Sequence, residues 1–167
     1  YILKTSGGEL APRLKPFFER AGLWEESFEG DRKGWFVGLI ELFRPRCRTY
    51  VEFVEAMRPF LSDDFSYEEE AARKHYKDPE VPVRLRAMRA ALSELSDWSE
   101  GAIEVATRAL AESLGLSAGK LIHPTRLALT GRGVSPGLFD VMVALGRDRT
   151  LARLDRAIAH VTQTAVH

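Results

Sequence analysis

GKLIHPTRLALTGRGVSPGLFDVMVALG, residues 119–146, decides the fold of this chain. Two apolar runs of helical period flank a stretch punctuated by glycine and proline, the signature of two helices joined by a tight turn. Gly131 and Gly133 permit backbone conformations closed to other residues, and Pro136 followed by Gly137 suits a turn leading into LFDVMVALG. Lys120, Arg126 and Arg132 make the stretch basic, and no acid occurs in it before Asp140. Such a turn can present backbone N–H groups to an oxygen-rich ligand. From these residues alone two readings stand, an ordinary helical hairpin and a cradle for an anion.

Working outward, the apolar period is helical nearly everywhere, and no segment alternates apolar and polar residues as a strand would. The chain is therefore expected to be all-α. Glu9 to Ala21 spaces Leu10, Leu14, Phe17 and Phe18 along one helix face, with Gly22 as its end. Asp31 is expected to cap a second helix carrying Trp35, Phe36, Leu39, Ile40 and Phe43, which Pro45 interrupts beside Arg44, Arg46 and Arg48. Thr49 to Leu61 resumes as a third. After a break at SDDF comes a short helix, YEEEAARKHY, with acids at its start and bases at its end, as the helix dipole favours. Val83 to Leu95 and Ser99 to Leu114 follow as amphipathic helices, and Arg147 to Val161 is the last. Short connections suit a helical bundle. The expected organisation is two small helical subdomains, residues 1–64 and 65–161, with a frayed tail at 162–167.

Length and composition suit this architecture: 167 residues, 45% of them hydrophobic, can bury a core in one domain or two small ones. One cysteine, Cys47, cannot form an internal disulfide, and no apolar run is long enough for a membrane span, so an intracellular, cytoplasmic protein is expected. The chain opens on Tyr rather than Met, which suits a piece of a longer protein. The formal charge is zero, but acids gather between Glu52 and Glu70 while bases gather in RPRCR, along the opening segment and in GRDRTLARLDR. Local fields outweigh totals once salt limits electrostatic reach to about 8 Å, so a polyanion on one face is allowed.

Catalytic chemistry is signalled mostly by its absence. His75, His123, His160 and His167 lack ligand spacing and Cys47 has no partner cysteine, so no metal site is expected. There is no GxxxxGK[ST] loop, no GxGxxG after a strand and no GxSxG elbow; Thr130 to Gly133 only mimics a phosphate loop. The acids of SDDFSYEEE read as a solvated helix face rather than an acid–base pair. No catalytic residue is assigned.

AESLGLSAGKLIHPTRLALTGRGVSPGLFDVMVALGRDRTLARLDRAI closely resembles the C-terminal region of bacterial glutamyl-tRNA synthetases, where Gly-Lys, Pro-x-Arg-x-Ala-Leu-Thr-Gly, Pro-Gly-Leu-Phe, Leu-Gly and Arg-Leu recur in this order. YI, ELAPRLKPFFERAGL, RPRCRTYVEF, DFSYEEEAARKH and DWSEGAIE fit the same family more loosely. The resemblance implies an all-helical anticodon-binding region of two subdomains, gripping the anticodon arm of tRNA(Glu). It implies a parent that joins glutamate to transfer RNA with ATP and magnesium, through a catalytic domain in cis. Neither the HxGH-like nor the KMSKS-like motif of that chemistry is found in these residues, so the chain alone is expected to be inactive and to need no cofactor.

Carried over position by position, the resemblance makes Arg126 the arginine that approaches anticodon bases, with Ser135 and Leu138 beside it. A guanidinium offers a flat stacking surface and a fork of donors, which suits unstacked bases. The plain alternatives are a helix-surface salt bridge for Arg126 and a core position for Leu138. Lys120 and Arg132 are candidate phosphate contacts. RPRCRT resembles the family's basic turn that reads the third anticodon base and separates glutamate from glutamine transfer RNAs; Arg46 is the first candidate there and Arg48 the second. A competing expectation is a helical adaptor that binds a protein through an apolar groove around Trp35, Phe36 and Phe43. A small enzyme centred on the acidic cluster is a third, with no positive signal.

Overall fold

A computed structural model describes residues 5–166, with side chains through Thr164, and all regular structure among them is helical. The Tyr1–Ile2 match and His167 lie outside the described residues. The chain divides into two compact units that meet in sequence between Phe65 and Ser66.

The first unit holds α1 (Gly7–Arg20), a single 3-10 turn (Glu26–Glu29), α2 (Lys33–Phe43) and α3 (Tyr50–Leu61). α1 starts earlier than Glu9 because Ser6 caps it, its hydroxyl accepting from the Glu9 N–H at 3.2 Å. Asp31 does not cap α2. Arg32 occupies the cap position, its side chain turned to Glu25 rather than capping the helix, and the entry is made by main chain instead, with Arg32 N–H donating to Ser27 O at 2.8 Å and Lys33 N–H to Gly30 O at 3.1 Å. The 3-10 turn, which no sequence period announced, inserts Phe28 into the core, where it is 2% exposed. Leu10, Leu14 and Phe18 of α1, Phe36 and Ile40 of α2, and Phe53 and Met57 of α3 complete that core, all fully buried.

α3 opens on a capping box: Thr49 Oγ1 accepts from Glu52 N–H, and Glu52 Oε2 accepts from Thr49 N–H, each at 3.1 Å. Thr49→Ala removes one acceptor and is expected to cost about 1 kcal/mol of unfolding free energy. Urea denaturation measures it; no change in midpoint would show the cap to be energetically idle.

The second unit holds α4 (Glu69–His75), α5 (Val81–Ser93), α6 (Glu100–Ser113), α7 (Gly119–Thr130), α8 (Leu138–Leu145) and α9 (Arg147–Val166). α5 packs along α9 and against α6 and α7, while α8 covers α6 and α9. Leu85, Met88 and Leu92 of α5, Ile103 of α6, Leu127 of α7, Met142 of α8 and Leu154 of α9 are all buried in the core of this unit. α6 starts as its sequence suggests, with Ser99 Oγ accepting from Ala102 N–H at 3.2 Å. Trp98 Nε1 donates to Met142 O at 2.9 Å and fastens the α5–α6 connection to α8. α4 begins at Glu69 rather than Tyr67 and buries no residue. α9 runs past Val161 to Val166, so the backbone of the tail is helical as far as it is described.

Among the described residues no helix is long and apolar enough to cross a membrane.

Candidate functional site

The turn between α7 and α8 is built by local chemistry. Gly131 ends α7 at φ 73°, ψ 3°, a left-handed conformation that a residue with a Cβ adopts only with strain, and its N–H closes on Leu127 O at 2.8 Å. Gly133 serves differently. Its φ is not positive, but a Cβ there would stand 3.2 Å from the Ala71 Cβ, so glycine lets the turn lie close on α4. Thr130 Oγ1 donates to Arg126 O at 2.8 Å and accepts from Arg132 N–H at 3.1 Å, drawing the chain back over the helix end. Glu68 clasps the turn from outside: its N–H donates to Gly131 O at 2.7 Å and its Oε1 accepts from Gly133 N–H at 2.9 Å. From α9, the buried Arg153 donates through Nη1 to Leu129 O at 2.7 Å, satisfying a carbonyl in the last turn of α7.

On this frame Arg126 and Ser135, nine positions apart, come together. Arg126 Nε donates to Ser135 Oγ at 3.0 Å, and Ser135 Oγ donates in turn to Pro136 O at 2.7 Å. Arg126 Nη1 lies 3.3 Å from His123 Nδ1, a donor–acceptor pair only while that ring nitrogen carries no proton. The guanidinium is half-buried, and the hydroxyl and imidazole that hold its Nε and Nη1 are neutral groups. They fix its plane without themselves cancelling its charge.

Leu138 belongs to the core. Its side chain is 3% exposed, packed with Val141, Met142 and Leu145 on the buried face of α8, so no base can rest on it. The N-terminal end of α8 also makes a poor anion cradle, because Asp140 lies in its first turn with Oδ2 only 3.3 Å from where a Gly137 Cβ would stand. Arg132 is half-buried in the turn, and Lys120 is exposed at the start of α7.

The basic turn of the first unit sorts its own arginines. Arg44 is committed to Glu41, Nη2 to Oε2 at 2.8 Å. Glu41 also accepts from the Gly7 N–H, and that backbone donor together with Arg44 holds its carboxyl below the usual carboxylate range. Arg46 and Arg48 are exposed. The backbone beneath them is fixed, by Arg46 N–H to Phe43 O at 2.9 Å and by Arg48 N–H to the Glu52 carboxylate. Two guanidinium groups therefore project from an ordered turn. Cys47 between them is buried, which pushes its thiol up to about 11 and leaves it inert at neutral pH.

Two features escaped sequence reasoning. His75 and His123 lie 48 positions apart, yet their rings stack at 4.9 Å with planes 15° apart. Glu68, in a run that reads as a solvated face, positions the turn. No spacing rule could reveal either, since both depend on α4 packing against α7.

A family model described as an anticodon binding domain matches residues 9–158. A glutamate–tRNA ligase of Desulforudis audaxviator is 37% identical over 163 residues, covering 96% of this chain and 32% of the relative. One from Moorella thermoacetica is 40% identical over 142 residues, covering 85% and 29%. Among solved structures, a glutamate tRNA ligase from Elizabethkingia meningosepticum superposes with a TM-score of 0.82 at 25% identity, over 95% of this chain and 30% of that one. The chain thus spans about a third of the length of the curated relatives it matches.

Proposed function

Because the chain belongs to the anticodon-binding domain family, we propose that it holds the anticodon arm of glutamate transfer RNA, as part of a glutamate–tRNA ligase acting in the cytoplasm. The observation that carries this reading is the Arg126–Ser135 pair, a half-buried guanidinium oriented by a hydroxyl at 3.0 Å on a fixed helical turn. An anticodon loop offers unstacked bases with open hydrogen-bonding edges, and a planar cation with a fork of donors can stack on one base and bond another. Ser135, which rotates freely about its Cβ–Oγ bond, can exchange its bond to Pro136 O for one to a base. The backbone N–H at Leu138, rather than its side chain, is what remains there for a nucleotide.

Arg46, with Arg48 as its neighbour, is assigned to the third anticodon base. A forked donor at that place accepts one base edge and rejects another by leaving donors unmet, which is how glutamate and glutamine anticodons would be told apart. Lys120 and Arg132 are assigned to phosphates. Among the described residues no three His, Cys, Asp or Glu side chains gather closely enough to hold a metal ion. On this reading the chemistry that uses ATP and magnesium resides in other residues of a longer protein, in cis. The adaptor reading is weakened: of Trp35, Phe36 and Phe43, the two phenylalanines are 0% and 4% exposed and line a core, and the half-buried Trp35 lies under the Arg32 guanidinium at 4.2 Å.

The 167-residue chain should bind glutamate transfer RNA at low salt, with log affinity falling linearly in log salt concentration. Changing the anticodon should weaken it by about 1–3 kcal/mol for each misread base, by analogy with base readout in other complexes. Equal affinity for the altered anticodon in a fluorescence anisotropy titration would defeat the assignment.

A further inference from the structure

Beside the Arg126 site lies a cleft of about 370 Å³, walled by the end of α4, the first turn of α5 and the start of α7. Its charge is one-sided. Lys74 and His75 come from α4, Arg84 from α5, and Lys120 and His123 from α7. The one acid among its lining residues, Asp78, is already committed, to Arg84 Nη1 at 3.0 Å and to the Glu80 N–H at 2.9 Å. α7 begins without a side-chain cap and without an acid in its first turn, so its N-terminal field adds to the lysine rather than opposing it. With Asp78 and Arg84 paired to each other, two lysines and two imidazoles are left around one concavity, and they do not suit a metal ion. They suit an oxyanion.

We propose that this cleft seats a backbone phosphate of the same RNA strand whose bases meet Arg126, with Lys74 and Lys120 as its principal contacts and the His75–His123 pair as its floor. The proposal rests on the anticodon reading above. Continuity between the two sites is given by His123, which stacks on His75 on one side and sits 3.3 Å from Arg126 Nη1 on the other. A strand crossing this surface would meet the fork first and the cleft next.

The two rings also make the contact responsive to pH. Burial, followed by neighbouring positive charge, holds both imidazoles below the usual histidine range: His123, Lys74 and Arg126 act on His75, and Arg126 and Lys74 on His123. The pair is faced by Lys74 from α4, Asp78 from the connection, Arg84 from α5, and Lys120 and Arg126 from α7. Asp78 being neutralised by Arg84, the balance opposes protonation. An anion in the cleft reverses that balance, so binding takes up protons and strengthens as pH falls. Protonation of His123 Nδ1 also ends its acceptance from Arg126 and turns that donor toward the RNA.

The test uses the 167-residue chain and fluorescein-labelled anticodon stem-loops, one with the glutamate anticodon and one with an altered anticodon. The double variant Lys74→Gln/Lys120→Gln should weaken both RNAs alike, roughly tenfold, and lower the log–log salt slope by about 1, the share of the one phosphate that the two lysines neutralise. Wild-type affinity should rise from about pH 7.5 to about pH 5.5, and His75→Gln/His123→Gln should flatten that rise. Circular dichroism confirms that each variant is folded. Lysine variants that keep wild-type affinity and slope would overturn the cleft while leaving the anticodon reading intact. Lysine effects that persist when wild type ignores the anticodon would do the reverse. Inorganic phosphate, titrated against the histidine C2–H resonances, separates the ligand sources: saturation by free phosphate with no lysine effect on RNA would mark a free-anion site and overturn the assignment to a strand.

Discussion

Arg126→Ala is expected to cost about 1–3 kcal/mol of RNA binding, a loss of roughly five- to 150-fold, and to erase most of the preference for the glutamate anticodon. Two features put this residue above other surface cations. Its Nε and Nη1 are held by neutral groups, Ser135 and His123, which orient the fork without themselves cancelling its charge. It is also half-buried and pre-set in that orientation, so little side-chain entropy remains to be lost on binding. Arg126→Lys is the informative companion. It keeps the charge but loses the plane and the fork, so the salt slope should survive while discrimination between anticodons falls. Anisotropy titrations of both variants against matched and altered stem-loops decide between base and backbone. If Arg126→Ala weakens both RNAs equally, the arginine serves a phosphate and reads no base.

Ser6 caps α1 ahead of the expected start at Glu9, yet the starts of α3 and α6 were legible because their signal lies within one turn of chain: Thr49 with Glu52 and Ser99 with Ala102 are pairs three positions apart. The entry to α2 was not. Asp31 has the right chemistry for a cap, but a 3-10 turn whose register is set by the burial of Phe28 fixes the entry with main-chain bonds instead. The same divide separates the site residues. Arg126 and Ser135 share a motif and a turn, so a linear reading pairs them. At Leu138 base contact and a core position both stood open, because a residue at the first position of a helix can face either way and only the packing of α8 on α6 and α9 turns its side chain inward. His75 and His123 look like isolated residues in the sequence; a contact between two helices makes them one stacked pair.

Phe36→Ala should be more destabilising than the loss of any helix cap, at about 3–5 kcal/mol. Phe36 is fully buried at the meeting point of the aromatic core of the first unit. It stacks on Phe28 with centroids 4.5 Å apart and planes 8° apart, and takes edge contacts from Phe18 at 5.6 Å and Trp24 at 5.5 Å. Truncation therefore removes one ring, leaves a cavity and strips three others of a partner whose geometry contributes beyond its area. A unit that ends at Phe65 has little reserve, since stabilities of about 0.05–0.15 kcal/mol per residue amount to only about 3–10 kcal/mol over that length. The expected result is loss of most of the stability of the first unit, seen as a lower urea midpoint in the emission of Trp24 and Trp35. Function should divide in the same way. Arg46 and Arg48 lose the ordered turn that presents them, so discrimination at the third base falls, whereas the Arg126–Ser135 site lies within the second unit, on a core of its own. A midpoint shift worth less than about 1 kcal/mol would mean that the first unit repacks around the missing ring. Equal loss of the contributions of Arg46 and Arg126 would mean that the two units do not fold independently.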